Sequence, residues 1–436
     1  MGMCEFQPVI FRLFRPRFIA PSLFFFIWGL VGTLDAKPKL SPLAKGPHWQ
    51  SLEKYQDTIT HDDFKRLLDG VYCTRGLNPD LIRLDSGAAR IFIDRETQKW
   101  FTLRFAKDET SRSPVPRRWR LPESLPKRAR HGVLSGLRIA LDPGHIGGTW
   151  GKVEERWFQV GDQPPVLEGD MTLRVAKLLA SRLQKLGARV SFVRQEAEPV
   201  TPQRPDDLRE IARRILAKNG VVSPREDYDG PADPAKEQTV RWESEILFYR
   251  ISEIRHRARV INNRLIPDLV LCLHFNAEAW GDPKAPTLVD RNHMHLLVNG
   301  AYLPPELEFD DQRFEMLQKL LSQAYDEEIK LSDTLAKALV KRTQLPAYEY
   351  TTENATKVGS SGYVYARNLL ATRLYKCPVI YFEPYVMNSH DVFARVQAGD
   401  YDGTRSINGA ERASIFREYA DGIVDGLAEY FAPLRN

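Results

Sequence analysis

Three short runs, LRIAL at 137–141, LVLCL at 269–273 and VIYF at 379–382, are almost wholly apolar and lack the alternation of a strand with one wet face. Strands of that kind are buried on both sides, which requires a mostly parallel sheet with helices on both faces. The pattern between them agrees. Met171, Val175, Leu178, Leu179, Leu183 and Leu186 recur at helical spacing, and Gly187 is placed to stop the helix. ARVSFVR follows as a strand, and a basic helix is expected near 252–265 before DLVLCL. HMHLLV then reads as a strand, 310–343 as a pair of charged helices, PVIYFE as a strand and 411–430 as a last helix. The fold class expected is α/β: a mostly parallel twisted sheet with helices on both faces, plus a small N-terminal α+β segment.

Composition narrows the class further. With 43% hydrophobic and 27% charged residues the chain can bury a core, and 29 scattered Pro exclude a coiled coil. Lys+Arg 62 against Asp+Glu 57 gives a net charge of +5, which suits an anionic polymer but is too dilute to indicate nucleic acid. Four cysteines are no disulfide framework, and Cys272 inside LVLCL reads as a small hydrophobe.

Residues 1–36 read as a secretory signal: Arg12, Arg15 and Arg17 precede the apolar run 18–34, and small Ala36 follows. An uncleaved anchor is the alternative, because the run approaches the ~18-residue length of a membrane span. Export without a cysteine framework fits a bacterial periplasm or cell surface, with membrane contact only through this segment if it is retained. Region 45–110 has a helical stretch (HDDFKRLLDGVY) and two strand-like runs, ARIFID and KWFTLRFA. It is small for an independent domain and reads as a helix packed on a hairpin. Region 111–134 is basic and Pro-rich, and reads as a solvated linker or as an electrostatic foot on anionic wall or lipid. Region 135–436 is the expected catalytic domain.

Each of the three apolar strands runs directly into an ionisable residue: His145, His274 and Glu383. In an open α/β sheet ligands gather at the carboxyl ends of strands, so these groups can converge. Glu168, at the start of the amphipathic helix, can join them. Three protein ligands with an open position, and a fourth group acting as base, make a catalytic zinc site. A single strand-end His is more often a hydrogen-bonded structural residue, and Asp142-Pro143-Gly144 reads equally well as a plain tight turn.

The segments IALDPGHIGG, LEGDMTLRVAKLLASRLQKLGARVSFVR, VLCLHFNA and CPVIYFEPYVMN also carry a resemblance. In this order they resemble the motifs of the zinc-dependent N-acetylmuramoyl-L-alanine amidases, the cell-wall amidases with a DPGHGG-type opening. The resemblance covers the chain from about residue 137 onward. It implies that His145, Glu168 and His274 bind zinc and that Glu383 is the catalytic carboxylate. The substrate implied is peptidoglycan or muropeptides, cut between the muramic lactyl group and L-alanine. Arg373 falls where the family often has Arg, and either grips a stem-peptide carboxylate or forms a structural salt bridge. Asn276 either supports His274 or touches substrate.

The departures bear on substrate more than on metal chemistry. Ile146 separates His145 from the Gly pair, 151–167 is long, Gly169-Asp170 follows Glu168, and Pro384-Tyr385 follows Glu383. Insertions are expected at about 195–250 and 300–345, long enough to lie across a cleft as lids. Two other readings stay open: a zinc amide hydrolase acting on another peptide or wall fragment, and a non-catalytic peptidoglycan-binding or regulatory protein. The presence of all four groups tells against the second. A protein activator is left open. His293 and His295 have metal-ligand spacing, but two His on a polar sheet face is the plainer expectation. There is no P-loop, dinucleotide fingerprint or nucleophile elbow.

Overall fold

The computed structural model describes residues 38–125 and 132–435. The leader expected at 1–36 and part of the expected linker, 126–131, lie outside the described residues. Helix α1 (His61–Leu67) is capped by the Thr60 hydroxyl, which accepts the Asp63 amide. Strands β1 (Ile82–Leu84), β2 (Ala88–Asp94) and β3 (Lys99–Arg104) form an antiparallel sheet beside it. This region shares its core with the rest of the chain: Trp49, Phe64, Leu67 and Tyr72 belong to the same buried cluster as Met316 and Leu317. The Val71 and Tyr72 carbonyls accept the amides of Ala301 and Tyr302 at 2.7 Å each.

The described part of the basic Pro-rich stretch touches the fold at several points. Trp119 is buried, Arg118 donates to the Asn262 carbonyl at 3.0 Å, and Arg117 Nε donates to that of Ser322 at 3.1 Å. Fixed carbonyls accept from Arg117 and Arg118, and the buried carboxylate of Asp268 pairs with Arg120.

Strand β4 (Arg138–Pro143) starts the main unit, followed by the short strands β5 (Trp157–Phe158) and β6 (Val166–Leu167). Helix α2 (Glu168–Lys185) then leads to β7 (Arg189–Phe192), with Gly187 in the left-handed region at φ 93° as the helix signal required. Helix α3 (Arg209–Lys218) comes next, and then α4 (Val240–Ile246). The last of these runs on through wider turns at Leu247–Ser252 into α5 (Glu253–Val260) and Ile261–Leu265. The basic helix expected at 252–265 therefore begins at Val240. Strands β8 (Leu269–Leu273) and β9 (Met294–Val298) precede three helices, α6 (Pro304–Leu307), α7 (Asp310–Leu321) and α8 (Ala324–Thr343). The order continues with β10 (Ala355–Val358), β11 (Val364–Arg367), α9 (Leu370–Leu374), β12 (Val379–Pro384) and α10 (His390–Gln397). A hairpin, β13 (Thr404–Ile407) and β14 (Ala410–Ala413), precedes α11 (Ile415–Phe431). The last helix thus starts after the 411 expected, because Glu411 is a strand residue in that hairpin.

The seven-stranded sheet has the order β10-β11-β9-β12-β8-β4-β7. Pairing is parallel across β12-β8-β4-β7 and β11-β9, and antiparallel where β9 meets β12 and β10 meets β11. Alternation along β8 shows why its run is wholly apolar. Leu269, Leu271 and Leu273 share a core with Val175 and Leu179 of α2, while Val270 and Cys272 pack with Ala258 and Ile261 on the other face. Cys73, Cys272 and Cys377 are buried free thiols.

Parts of both expected lid segments are packed into the fold. Leu331, Leu335 and Leu339 of α8 lie in the main core with Tyr419 and Ile423 of α11, so α8 is part of the sheet's cover. The charges that made 310–343 look exposed are paired inside: Lys319 with Glu328 at 2.7 Å and Arg313 with Asp310 at 2.6 Å. In 195–250, Leu208, Ala212, Leu216 and Val240 pack on Ile146, Trp150 and Val153. That segment buttresses the loop after β4.

Candidate metal centre

Because β12, β8 and β4 are adjacent and parallel, their carboxyl ends deliver Glu383, His274 and His145 to one edge of the sheet. After β4 the chain turns sharply, and His145 takes a left-handed conformation at φ 56°. Gly144 donates its amide to the Leu273 carbonyl at 2.8 Å. It passes so close to β8 that a Cβ there would lie on the His274 ring.

A buried arginine holds this turn. Arg257 donates from Nη1 to the Pro143 carbonyl at 2.7 Å and from Nη2 to the His145 carbonyl at 2.8 Å. It also pairs with Asp142 and Glu253, at 2.8 Å each. Asp142 is therefore the turn's anchor as well as part of it, with Tyr375 Oη donating to its second oxygen at 2.6 Å.

Glu168 is the first residue of α2 and 1% exposed. One oxygen lies 3.1 Å from His274 Nδ1 and accepts the Phe275 amide at 3.2 Å. The other lies 3.2 Å from His145 Nε2 and 3.9 Å from Arg156. Burial works against the Glu168 charge, but the polar neighbours on its two oxygens, the hydrogen bond from His274 and the Arg156 guanidinium among them, outweigh it and hold the carboxyl below its usual range. The helix N-terminus acts in the same sense. The His274 ring stacks on Tyr381 with centroids 4.2 Å apart and 13° between planes.

His145, Glu168 and His274 each bring one ligand atom within 4.8 Å of the others. His145 Nε2 and Glu168 Oε2 are buried and make no hydrogen bond, although they face one another. Burial pushes the His145 imidazole well below its ordinary pKa, keeping it in the neutral form that binds metal. Two imidazoles and a carboxylate, with one nitrogen and one oxygen among them buried and unpaired, fit a divalent cation.

Glu154 belongs to this centre and escaped the sequence reading. Its Oε1 faces His145 Nδ1 at 3.5 Å, while Oε2 accepts the amides of Ile146 at 2.8 Å and Gly147 at 3.3 Å. It lies within 151–167, where no motif marks it. Glu383, 7% exposed, has its carboxyl raised well above the ordinary range, first by burial and then by the Glu168 charge, with Arg156 and Arg367 opposing. One site thus holds a carboxylate kept ionised and a second that favours its proton.

Other expected residues are placed differently. Arg373 Nε pairs with Glu315 at 2.7 Å and its Nη1 donates to Gln312 and Asn368, so the salt bridge is the role its geometry supplies. Asn276 faces His293 at 3.4 Å and makes no hydrogen bond to His274. His293 and His295 do not lie on a polar face. Both are buried, His293 against Glu278 and His295 against Tyr350, because the segment around Tyr348 and Tyr350 covers them.

A family model described as N-acetylmuramoyl-L-alanine amidase matches residues 139–408. Among solved structures the chain is similar to the amidase Ami1 of Mycobacterium smegmatis, with 16% identity, 69% of this chain and 99% of that one covered, and a TM-score of 0.35. It is similar to AmiC2 of Nostoc punctiforme at 14% identity, covering 68% and 99%, with a TM-score of 0.34. It is also similar to the CwlD amidase of Clostridioides difficile, solved with the GerS lipoprotein, at 10% identity, covering 68% and 98%, with a TM-score of 0.36. No curated protein sequence matches it. The family match, not these likenesses, places the chain.

Proposed function

The chain belongs to the N-acetylmuramoyl-L-alanine amidase family, and from that premise we propose that it hydrolyses the amide between N-acetylmuramic acid and L-alanine in peptidoglycan, using zinc held by His145, Glu168 and His274. The observation that carries this reading is the pair of unpaired buried atoms, His145 Nε2 and Glu168 Oε2, at the strand ends. Zinc in such a site supplies Lewis-acid polarisation of the scissile carbonyl.

The remaining chemistry falls to the chain. Glu383 takes a proton from the attacking water and returns it to the amine nitrogen of L-alanine as the C–N bond breaks. Its burial at the same edge of the sheet keeps bulk water from that proton between those steps. Glu154 and Arg257 fix the turn that presents His145, and Tyr381 fixes the His274 ring. The basic-then-apolar leader supports export to a periplasm or cell surface. Among the described residues no helix is long and apolar enough to cross a membrane.

Zinc-loaded protein is incubated with purified peptidoglycan beside the Glu383→Gln form, and products are read by mass spectrometry. Stem peptides with new L-alanine amino termini, released only when Glu383 is intact, are the expected result. An intact wall in the presence of bound zinc overturns the substrate. The long stretch 151–167, which sets Glu154 and Arg156 against the centre, supports a second reading in which the amide lies in a soluble wall fragment. Soluble muropeptides as a parallel substrate separate the two.

A further inference from the structure

Beside Glu383 stands a histidine with no task so far. Strand β9 runs antiparallel to β12 with His295 as the direct partner of Glu383. Their side chains therefore leave the sheet on the same face, with Cβ atoms about 4.5–5.5 Å apart. His295 is 3% exposed and walled in by Tyr348, Tyr350 and Tyr365.

The proton on its ring can be placed. His295 Nε2 lies 2.9 Å from Tyr350 Oη, and Arg367 Nη1 donates to the same hydroxyl at 3.1 Å. A guanidinium only donates, so the hydroxyl's own hydrogen goes to its other partner, His295 Nε2. That leaves the ring hydrogen on Nδ1. Nδ1 is buried and has no partner, a costly state for a donor. Glu383, across the strand pair, is buried too, with Glu168, Arg156 and Arg367 as its charged neighbours.

We propose that His295 positions Glu383: its Nδ1–H donates to the Glu383 carboxylate when that group is ionised and releases it when the carboxyl carries the proton taken from water. Substrate is a poorer recipient, because Nδ1 is shut off from solvent while Glu383 is its strand neighbour. Burial holds the imidazole in its neutral form, so the donor does not compete for the transferred proton. The role rests on Glu383 as the base.

Two substitutions separate this from a packing role. Asn places an amide N–H near the site of Nδ1, whereas Gln places its terminal group near Nε2. His295→Asn therefore keeps the donor toward Glu383, and His295→Gln keeps only the partner of Tyr350. With zinc-loaded full chain on peptidoglycan, His295→Gln is expected to lose about 10–100-fold in kcat, the usual cost of an outer partner, at unchanged KM and zinc content. His295→Asn is expected to stay close to the unsubstituted protein. A His295→Gln protein as active as His295→Asn, or a loss confined to KM or to melting temperature, overturns the proposal. Should either variant fail to fold, Tyr350→Phe removes only the hydroxyl that sets the tautomer, and an unchanged kcat there overturns it too. An active Glu383→Gln protein removes the base itself. An inactive Glu383→Gln protein beside normal His295 variants removes only the role of His295.

Discussion

His145 Nε2 and Glu168 Oε2 face each other across 3.2 Å, buried, and neither is in a hydrogen bond. A contact of this kind is poor within the protein alone and good around a cation. Chelation should therefore lower the melting temperature as well as activity, and zinc should restore both. Glu168→Gln, which removes the charge but keeps the shape, should weaken metal binding by at least the ~10–100-fold typical of a lost outer partner. Metal analysis after dialysis reads this directly, and full retention of zinc would sink the site.

Gly144 gives a steric test of the same centre. Its backbone has no left-handed strain, so a substitution acts only through the Cβ, which would lie on the His274 ring. Gly144→Ala should cost about 1–3 kcal/mol, the usual range for overpacking, and metal occupancy should fall with it. Denaturant melts with and without zinc check this. A loss of the same size in both would mean that the ring had moved without cost to the metal.

Much of this centre was legible because continuous apolar strands announce their own ends. LRIAL, LVLCL and VIYF locate His145, His274 and Glu383 whatever surrounds them, and the fold followed from the same runs. The partners that hold those groups were not legible. Glu154 and Arg257 act across tertiary contacts, and Arg257 sits in a helix whose charges look solvated in sequence. Lys319, Glu328 and Arg313 misled for the same reason, since a buried pair and an exposed one read alike in sequence. For His295 the period-2 pattern gave its strand but not the tyrosines that cover that face.

Glu154 offers a test of outer support. It faces His145 Nδ1 and accepts two backbone amides of the turn. Glu154→Gln keeps one acceptor oxygen but loses the charge that orients the ring. Zinc affinity should fall about 10–100-fold while the melting temperature of the metal-free protein changes little. Competition with a chromophoric chelator measures the first and calorimetry the second. Unchanged affinity would reduce Glu154 to a turn anchor.

Asp268 sets a pH dependence remote from the metal. Its carboxylate pairs with Arg120 at 2.7 Å and Arg138 at 2.6 Å, joining the basic Pro-rich stretch to the start of β4. Burial pushes its pKa up, but hydrogen bonds from Arg138 and Arg120 outweigh that and hold it below the ordinary carboxylate value. A depressed folded pKa contributes stability that is complete above the unfolded value, about 3.9 for Asp, and that is lost as pH falls through the folded one. The arginines are 36% and 32% exposed, so water screens the pairs and Asp268→Asn should cost about 1–3 kcal/mol at neutral pH. That difference should shrink as the pH falls below about 3.9, where the unfolded chain takes up the proton while native Asp268 stays ionised, and level off once the native carboxylate is protonated too. Melting temperatures of both proteins from pH 3 to 8 decide it, and a gap that stays constant down to the lowest pH would mean that the carboxylate's charge contributes nothing.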